Sequence, residues 1–200
     1  LYSYQKGAID KIFKAFEESP SDYHLLYQLP TGGGKTVIFS EIVRQYLKHH
    51  KKKVLVMTHR IELCRQTSNV LTEFEVVNKV SDSKAELSDK AEYSCFVAMV
   101  ETLNNRLNDD KLDISDIGLV IIDEAHYNSF TKLFKFFSQC FILGVTATPL
   151  SSSIELPMTD NYDELIVGES IESLIQNGFL ARAVMHSYNV GLTSLVVGAN

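Results

Sequence analysis

Two apolar runs of strand length, Leu25-Leu26-Tyr27 and Leu119-Val120-Ile121-Ile122, each stop at a polar cluster. The first leads into Leu29-Pro30-Thr31-Gly32-Gly33-Gly34-Lys35-Thr36, the second into Asp123-Glu124-Ala125-His126. A strand that is apolar on successive residues offers no face to water, so it belongs in a sheet covered on both sides, the usual setting of parallel strands. Both clusters then emerge at carboxyl ends of buried strands, where open α/β sheets bind their ligands.

The rest of the chain repeats this alternation. Ile9, Ile12, Phe13 and Phe16 fall at helical spacing, and Tyr23 to Leu29 reads as a strand. A helix is expected from Lys35 to about His49, with Val37, Ile38, Ile42, Val43 and Tyr46 or Leu47 inward. Further strands are expected over 53–58, 76–80, 95–100, 117–123 and 141–146, with a helix over 60–74 and short helices between the later strands. Residues 81–92 are polar and read as loop or weak helix. Strand and helix in repetition predict an α/β fold with a mainly parallel central sheet between two helical layers.

The first cluster has the chemistry of a phosphate cradle. Glycines at 32, 33 and 34 let the backbone close around an anion. A helix starting near Lys35 adds free N–H groups and the positive end of its dipole. Lys35 supplies a charge for the β and γ phosphates of a nucleotide, and Thr36 a hydroxyl for Mg²⁺. The strict pattern begins with glycine, whereas this loop begins with Leu29. In the second cluster, Asp123 can hold Mg²⁺ through its water shell, and Glu124 can orient or deprotonate the attacking water. Neighbouring side chains on an extended strand point apart, so the two carboxylates do different jobs.

Taken with Gly144-Val145-Thr146-Ala147-Thr148-Pro149, these motifs resemble, in order and spacing, the first RecA-like motor domain of superfamily 2 helicases and translocases of the DEAH-box type. The nearest branch in style contains type III restriction motor subunits and bacterial or phage DNA helicases. The match covers about residues 1 to 180, and in this family the position of Leu29 is often not glycine. The resemblance implies a three-layer RecA-like P-loop NTPase domain binding ATP and Mg²⁺ through Thr31, Gly32, Gly33, Gly34, Lys35 and Thr36. It implies that Gln5, in Tyr4-Gln5, recognises the adenine edge; many relatives carry Arg at the position of Tyr2. His126, Thr146 and Thr148 match the residues that couple the nucleotide site to the nucleic-acid track.

The segment Val54 to Gln66 resembles a motif that touches the nucleic-acid backbone. There a strand end leads into a helix N-terminus beside Arg60, an arrangement suited to a phosphate. Val97 to Leu103 resembles the next such motif, with Thr102 as hydroxyl donor and Glu101 where relatives often carry Gln. The basic run Lys48 to Lys53 lies at the opposite edge of the sheet and reads as a solvated helix end.

At 200 residues, with 45% hydrophobic composition, the chain suits one ordinary core. Its net charge of -6 excludes a globally basic nucleic-acid binder but not a local phosphate site. Cys64, Cys95 and Cys140 show no paired spacing, and His24, His49, His50, His59 and His186 have no ligand partner at metal spacing. A reducing, cytoplasmic setting is expected, with neither signal peptide nor membrane span and with Leu1 inside a longer product. Residues 160–180 resemble the passage toward a second RecA-like domain, and 181–200 the start of that connection. The expected partners are that domain and nucleic acid, DNA more than RNA. The chain alone is then expected to unwind nothing. A P-loop ATPase that remodels protein or acts as a switch without nucleic acid is the alternative.

Overall fold

The computed structural model describes residues 1–81, 92–108, 114–150 and 158–182. Among these residues seven strands form one sheet: β1 (His24–Gln28), β2 (Lys53–Thr58), β3 (Asn78–Ser81), β4 (Cys95–Met99), β5 (Ile117–Asp123), β6 (Phe141–Thr146) and β7 (Glu164–Val167). Their order is β3-β4-β2-β5-β6-β1-β7, and every pairing is parallel. The helices are α1 (Ser3–Glu18), α2 (Lys35–His49), α3 (Ile61–Glu73), α4 (Val100–Asn108) and α5 (Ile171–Gln176), with 3₁₀ segments at Asn128–Phe136 and Met158–Asp160.

Alternation along the strands divides the core in two. Leu119 and Ile121 of β5 join Val54 and Val56 of β2 beneath α1, α2 and α3. Val120 and Ile122 join Leu55 and Met57 on the other face, with Leu103 and Leu107 of α4 and Phe130 and Leu133 of the 3₁₀ segment. The pairing of β2 with β5 shifts register between Lys53 and Val54, where Gly118 is the extra residue. A bulge of this kind reverses the alternation, which explains why Ile117 lies on the same face as Val120.

The strands expected around 24–28, 53–58, 95–99, 117–123 and 141–146 are present, as are α1, α2 and α3. The strand expected over 76–80 starts at Asn78, because the residues before it close α3. Glu75 takes φ 60°, its N–H donates to Thr72, and the Val76 N–H reaches back to Leu71 at 3.0 Å. This left-handed ending satisfies helix carbonyls, so Val76 serves the helix and not the ladder. Val100, expected at the end of a strand, opens α4. Strand β7 is not among the expected strands: it is a four-residue edge strand, mostly exposed, that among the described residues pairs with β1 alone. Most of the stretch read as loop or weak helix (82–91 of 81–92) and most of the expected connection (183–200 of 181–200) lie outside the described residues.

On α2 the buried face is wider than expected, taking in Phe39, Ser40 and Glu41 as well. Phe39 is fully buried while Val37 is only partly so. Helix α2 is flanked by α1 and α3 on the same face of the sheet, which widens its apolar face. Among the described residues, no helix is long and apolar enough to cross a membrane. Truncating Phe39 would leave a ring-sized void in the larger core, so Phe39→Ala is expected to cost about 3 to 5 kcal/mol. Urea unfolding checks this; a loss below about 1 kcal/mol would mean that the ring is not enclosed as described.

Candidate nucleotide site and coupling residues

The sheet order places three motif-bearing strand ends side by side. Strand β6 lies between β1 and β5, so the Thr146 end sits between the glycine loop and Asp123. The loop turns at once after β1: the Gly33 N–H donates to the Pro30 carbonyl at 3.0 Å. Gly32 takes φ 83° and Gly34 φ 86°, left-handed values that side chains disfavour. Gly34 caps α2, and that helix has no acidic residue in its first turn to oppose an anion.

Gln5 holds the loop from behind. A Cβ on Gly34 would stand 2.6 Å from its Nε2, so the loop closes directly onto this buried side chain. Gln5 Oε1 accepts the Tyr2 N–H at 2.9 Å, bracing the start of α1. The Tyr4 hydroxyl donates to the Gly33 carbonyl at 2.7 Å. Leu180 covers Gly32, and the Phe179 ring packs on Tyr2 and Tyr4 at 4.7 and 5.1 Å. Phe179 and Leu180 were not singled out in the sequence. They reach the loop because the turn ending α5 folds back, with the Phe179 and Leu180 N–H groups both donating to Leu174.

Lys35 and Glu124 meet from different strand ends, with Nζ and Oε1 3.7 Å apart. The Lys35 side chain is 9% exposed and also approaches the Leu29 carbonyl at 3.5 Å. Asp123 is buried, and its Oδ1 accepts the Glu124 N–H at 3.1 Å. Burial, with a smaller contribution from the charge of Glu124, pushes its carboxyl up to about 6 against the opposing pull of Lys35. Glu124 itself takes φ 54°, a left-handed conformation for a side-chain-bearing residue, and the surrounding turn must hold it there.

His126 lies one turn further on, its Nδ1 3.0 Å from Thr146 Oγ1 and 3.4 Å from Glu124 Oε2. Thr146 donates its hydroxyl hydrogen to the Thr148 carbonyl at 3.0 Å and accepts the Thr148 N–H at 3.2 Å. Its oxygen is therefore left to accept from His126, which puts a hydrogen on Nδ1. The expected coupling residues thus form one connected group with Glu124 and Lys35.

The two candidate backbone contacts stand apart from that group. Arg60 is the exposed N-cap of α3, after β2, and Thr102 lies in the first turn of α4, after β4. Glu101, an acid unsuited to a phosphate track, pairs with Lys132 at 3.2 Å. The run at 48–53 sits at the far edge as expected, with His50 stacked on Tyr46 and Lys53 paired with Asp116 at 3.5 Å. His59, without a metal partner as expected, makes ring contacts that the sequence did not indicate. Its ring packs 4.3 Å from that of Tyr127, which in turn packs 4.3 Å from His126. Burial and the adjacent Arg60 lower its basicity. No spacing rule could have found this contact, because residues 59 and 127 meet only through the pairing of β2 with β5.

The residues fit a magnesium nucleotide. The loop has no room for side chains at Gly33 or Gly34, and a buried carboxylate with raised pKa is ready for a cation. Among the described residues, no cluster of three His, Cys, Asp or Glu could bind a metal alone. A cation held by one carboxylate, one hydroxyl and phosphate oxygens is the pattern of Mg²⁺.

Residues 1–151 match the family model described as type III restriction enzyme, res subunit. The chain is 28% identical over 206 residues to IRC3 of Saccharomyces cerevisiae, covering 95% of this chain and 29% of IRC3. It is 28% identical over 148 residues to the ATP-dependent DNA helicase MPH1 of Scheffersomyces stipitis, covering 64% of this chain and 14% of MPH1. The Hef helicase domain of Pyrococcus furiosus superposes with a TM-score of 0.66 at 23% identity, over 84% of this chain and 38% of that one. The chain therefore spans less than a third of the length of these two sequence relatives.

The raised pKa of Asp123 has a sign that can be checked. Between its ordinary value and about 6 the folded state binds the extra proton, so stability falls as pH rises through that window. Above pH 6 the full penalty applies. Asp123→Asn is expected to raise the unfolding free energy of the ligand-free protein at pH 8 by about 1 to 3 kcal/mol, and the gain should vanish toward pH 4. Thermal unfolding at the two pH values measures it. A variant less stable than the parent at pH 8 would contradict the buried, unpaid charge.

Proposed function

The chain belongs to the type III restriction enzyme res subunit family, and from that premise we propose that it is the first RecA-like motor domain of an ATP-driven superfamily 2 helicase or translocase acting on DNA in preference to RNA. The observation that carries this reading is the meeting of Lys35 and Glu124 at 3.7 Å across the end of β6, because it joins a phosphate loop to a water-orienting carboxylate. ATP would lie with its β and γ phosphates against the N–H groups of residues 31–36 and the Lys35 ammonium. Thr36 and Asp123 would hold Mg²⁺, which when bound offsets the phosphate charge. Glu124 orients the attacking water and accepts its proton as the bond to the leaving ADP breaks, yielding ADP and phosphate. Gln5, packed against Gly34, would be the residue that recognises the adenine edge. His126, Thr146 and Thr148 tie Glu124 to the β6 end, while Arg60 and Thr102 offer phosphate contacts at the ends of β2 and β4.

Hydrolysis in this arrangement leaves the outer side of the γ phosphate to be completed by a second RecA-like domain. Loss of an arginine finger from such a domain costs roughly 10³ to 10⁵ in rate, so this chain alone is expected to turn over very slowly. The name of MPH1 supports DNA as the track.

Two variants of the full-length protein test the reading. Glu124→Gln should lower kcat by about 10² to 10⁴ while nucleotide binding persists. Arg60→Ala should weaken binding to labelled single-stranded DNA and reduce the dependence on log salt by about one unit, with RNA bound more weakly than DNA throughout. Glu124-dependent hydrolysis without measurable binding to either polymer would favour the protein-remodelling ATPase instead.

A further inference from the structure

Between the nucleotide site and Arg60 lies a stack of rings that no phosphate chemistry requires. His59 precedes Arg60 in the turn after β2, and that turn is tied together as one unit: Thr58 Oγ1 donates to the Arg60 carbonyl at 3.0 Å. The His59 ring packs on Tyr127 at 4.3 Å with 33° between planes, and Tyr127 packs on His126 at 4.3 Å with 36°. His59 Nδ1 is buried and makes no hydrogen bond, so ring packing and not a polar tether sets its position. Tyr127 is 37% exposed, more than a residue kept for core packing would be. Its N–H donates to the Glu124 carbonyl at 3.2 Å, closing the turn that holds Glu124 at its positive φ.

We propose that His59 and Tyr127 are positioning residues that carry nucleic-acid engagement at Arg60 through the ring stack to His126 and Glu124. The inference rests on the motor reading above. A phosphate drawn to Arg60 moves the turn that also carries His59. His59 bears on Tyr127, and Tyr127 shares its turn with Glu124. Glu124 holds a conformation the backbone disfavours, so a small displacement there alters the placement of the reacting water. The path crosses from β2 to β5, one strand step of about 4.8 Å, and His126 extends it to Thr146 on β6.

The test measures ATP turnover of the full-length protein with and without saturating single-stranded DNA, together with KM for ATP. The quantity read is the ratio of stimulated to basal kcat. In Tyr127→Ala and His59→Ala this ratio is expected to fall by about tenfold, the size of a typical coupling between sites. Tyr127→Phe and His59→Phe keep the rings and should restore it to within about twofold, with KM for ATP unchanged across the set. A Tyr127→Ala protein with the parent's ratio overturns the proposal and leaves the motor reading intact. Equal losses in basal and stimulated turnover, not rescued by phenylalanine, also overturn it, because they describe a structural residue. A parent protein that no DNA or RNA stimulates overturns the motor reading and this inference together.

Discussion

Strand β5 is buried along all seven of its residues, and the placement of every polar group in the site follows from that. A strand enclosed by neighbours and by helical layers on both faces can present charge only where it ends. Asp123 is its last residue and Glu124 the first beyond it. The flanking strands repeat the pattern, so their polar ends stand in one row in the order of the sheet. Glycine loop and Lys35 follow β1, Thr146 and Thr148 mark the end of β6, Glu124 and His126 follow β5, Arg60 follows β2, and Thr102 follows β4. The candidate nucleotide loop sits at one end of the row and the candidate phosphate contacts at the other, Arg60 about three strand spacings or 14 Å away and Thr102 about four or 19 Å.

The site is built at the expense of stability. Asp123 is ionised only against the resistance of its surroundings, Glu124 occupies a left-handed conformation, and Lys35 is largely enclosed. Each would be poorly tolerated in an ordinary core. The charges of Lys35 and Asp123 are ones that a bound magnesium nucleotide would meet, and such binding would stabilise the fold. The firm parts surround them: Gln5 and Tyr4 brace the loop from α1, Leu180 covers it, and Thr146 fixes His126.

Much of this was legible in the sequence for a physical reason. Continuous apolar runs such as 119–122 announce buried parallel strands, and glycines before Lys-Thr announce a strand-to-helix turn. Those signals are local, so β1, β2, β5, β6 and the first three helices fall where periodicity put them. What failed to show depended on tertiary context. The residues of β7 lack an apolar run because its exposed edge position does not demand one. Phe39 turns inward because α2 is covered by two helices as well as the sheet. The contact of His59 with Tyr127 and the seat of Leu180 over Gly32 join residues far apart in sequence, and only the strand order brings them together.

Steady-state ATP hydrolysis by the full-length protein, with single-stranded DNA, duplex DNA, RNA or no polymer and with a Lys35→Ala control, tests the central claim most directly. The account predicts hydrolysis that requires Lys35 and rises strongly with DNA. Hydrolysis that requires Lys35 yet ignores every polymer would contradict it, because the row of strand ends would then join nothing to the nucleotide.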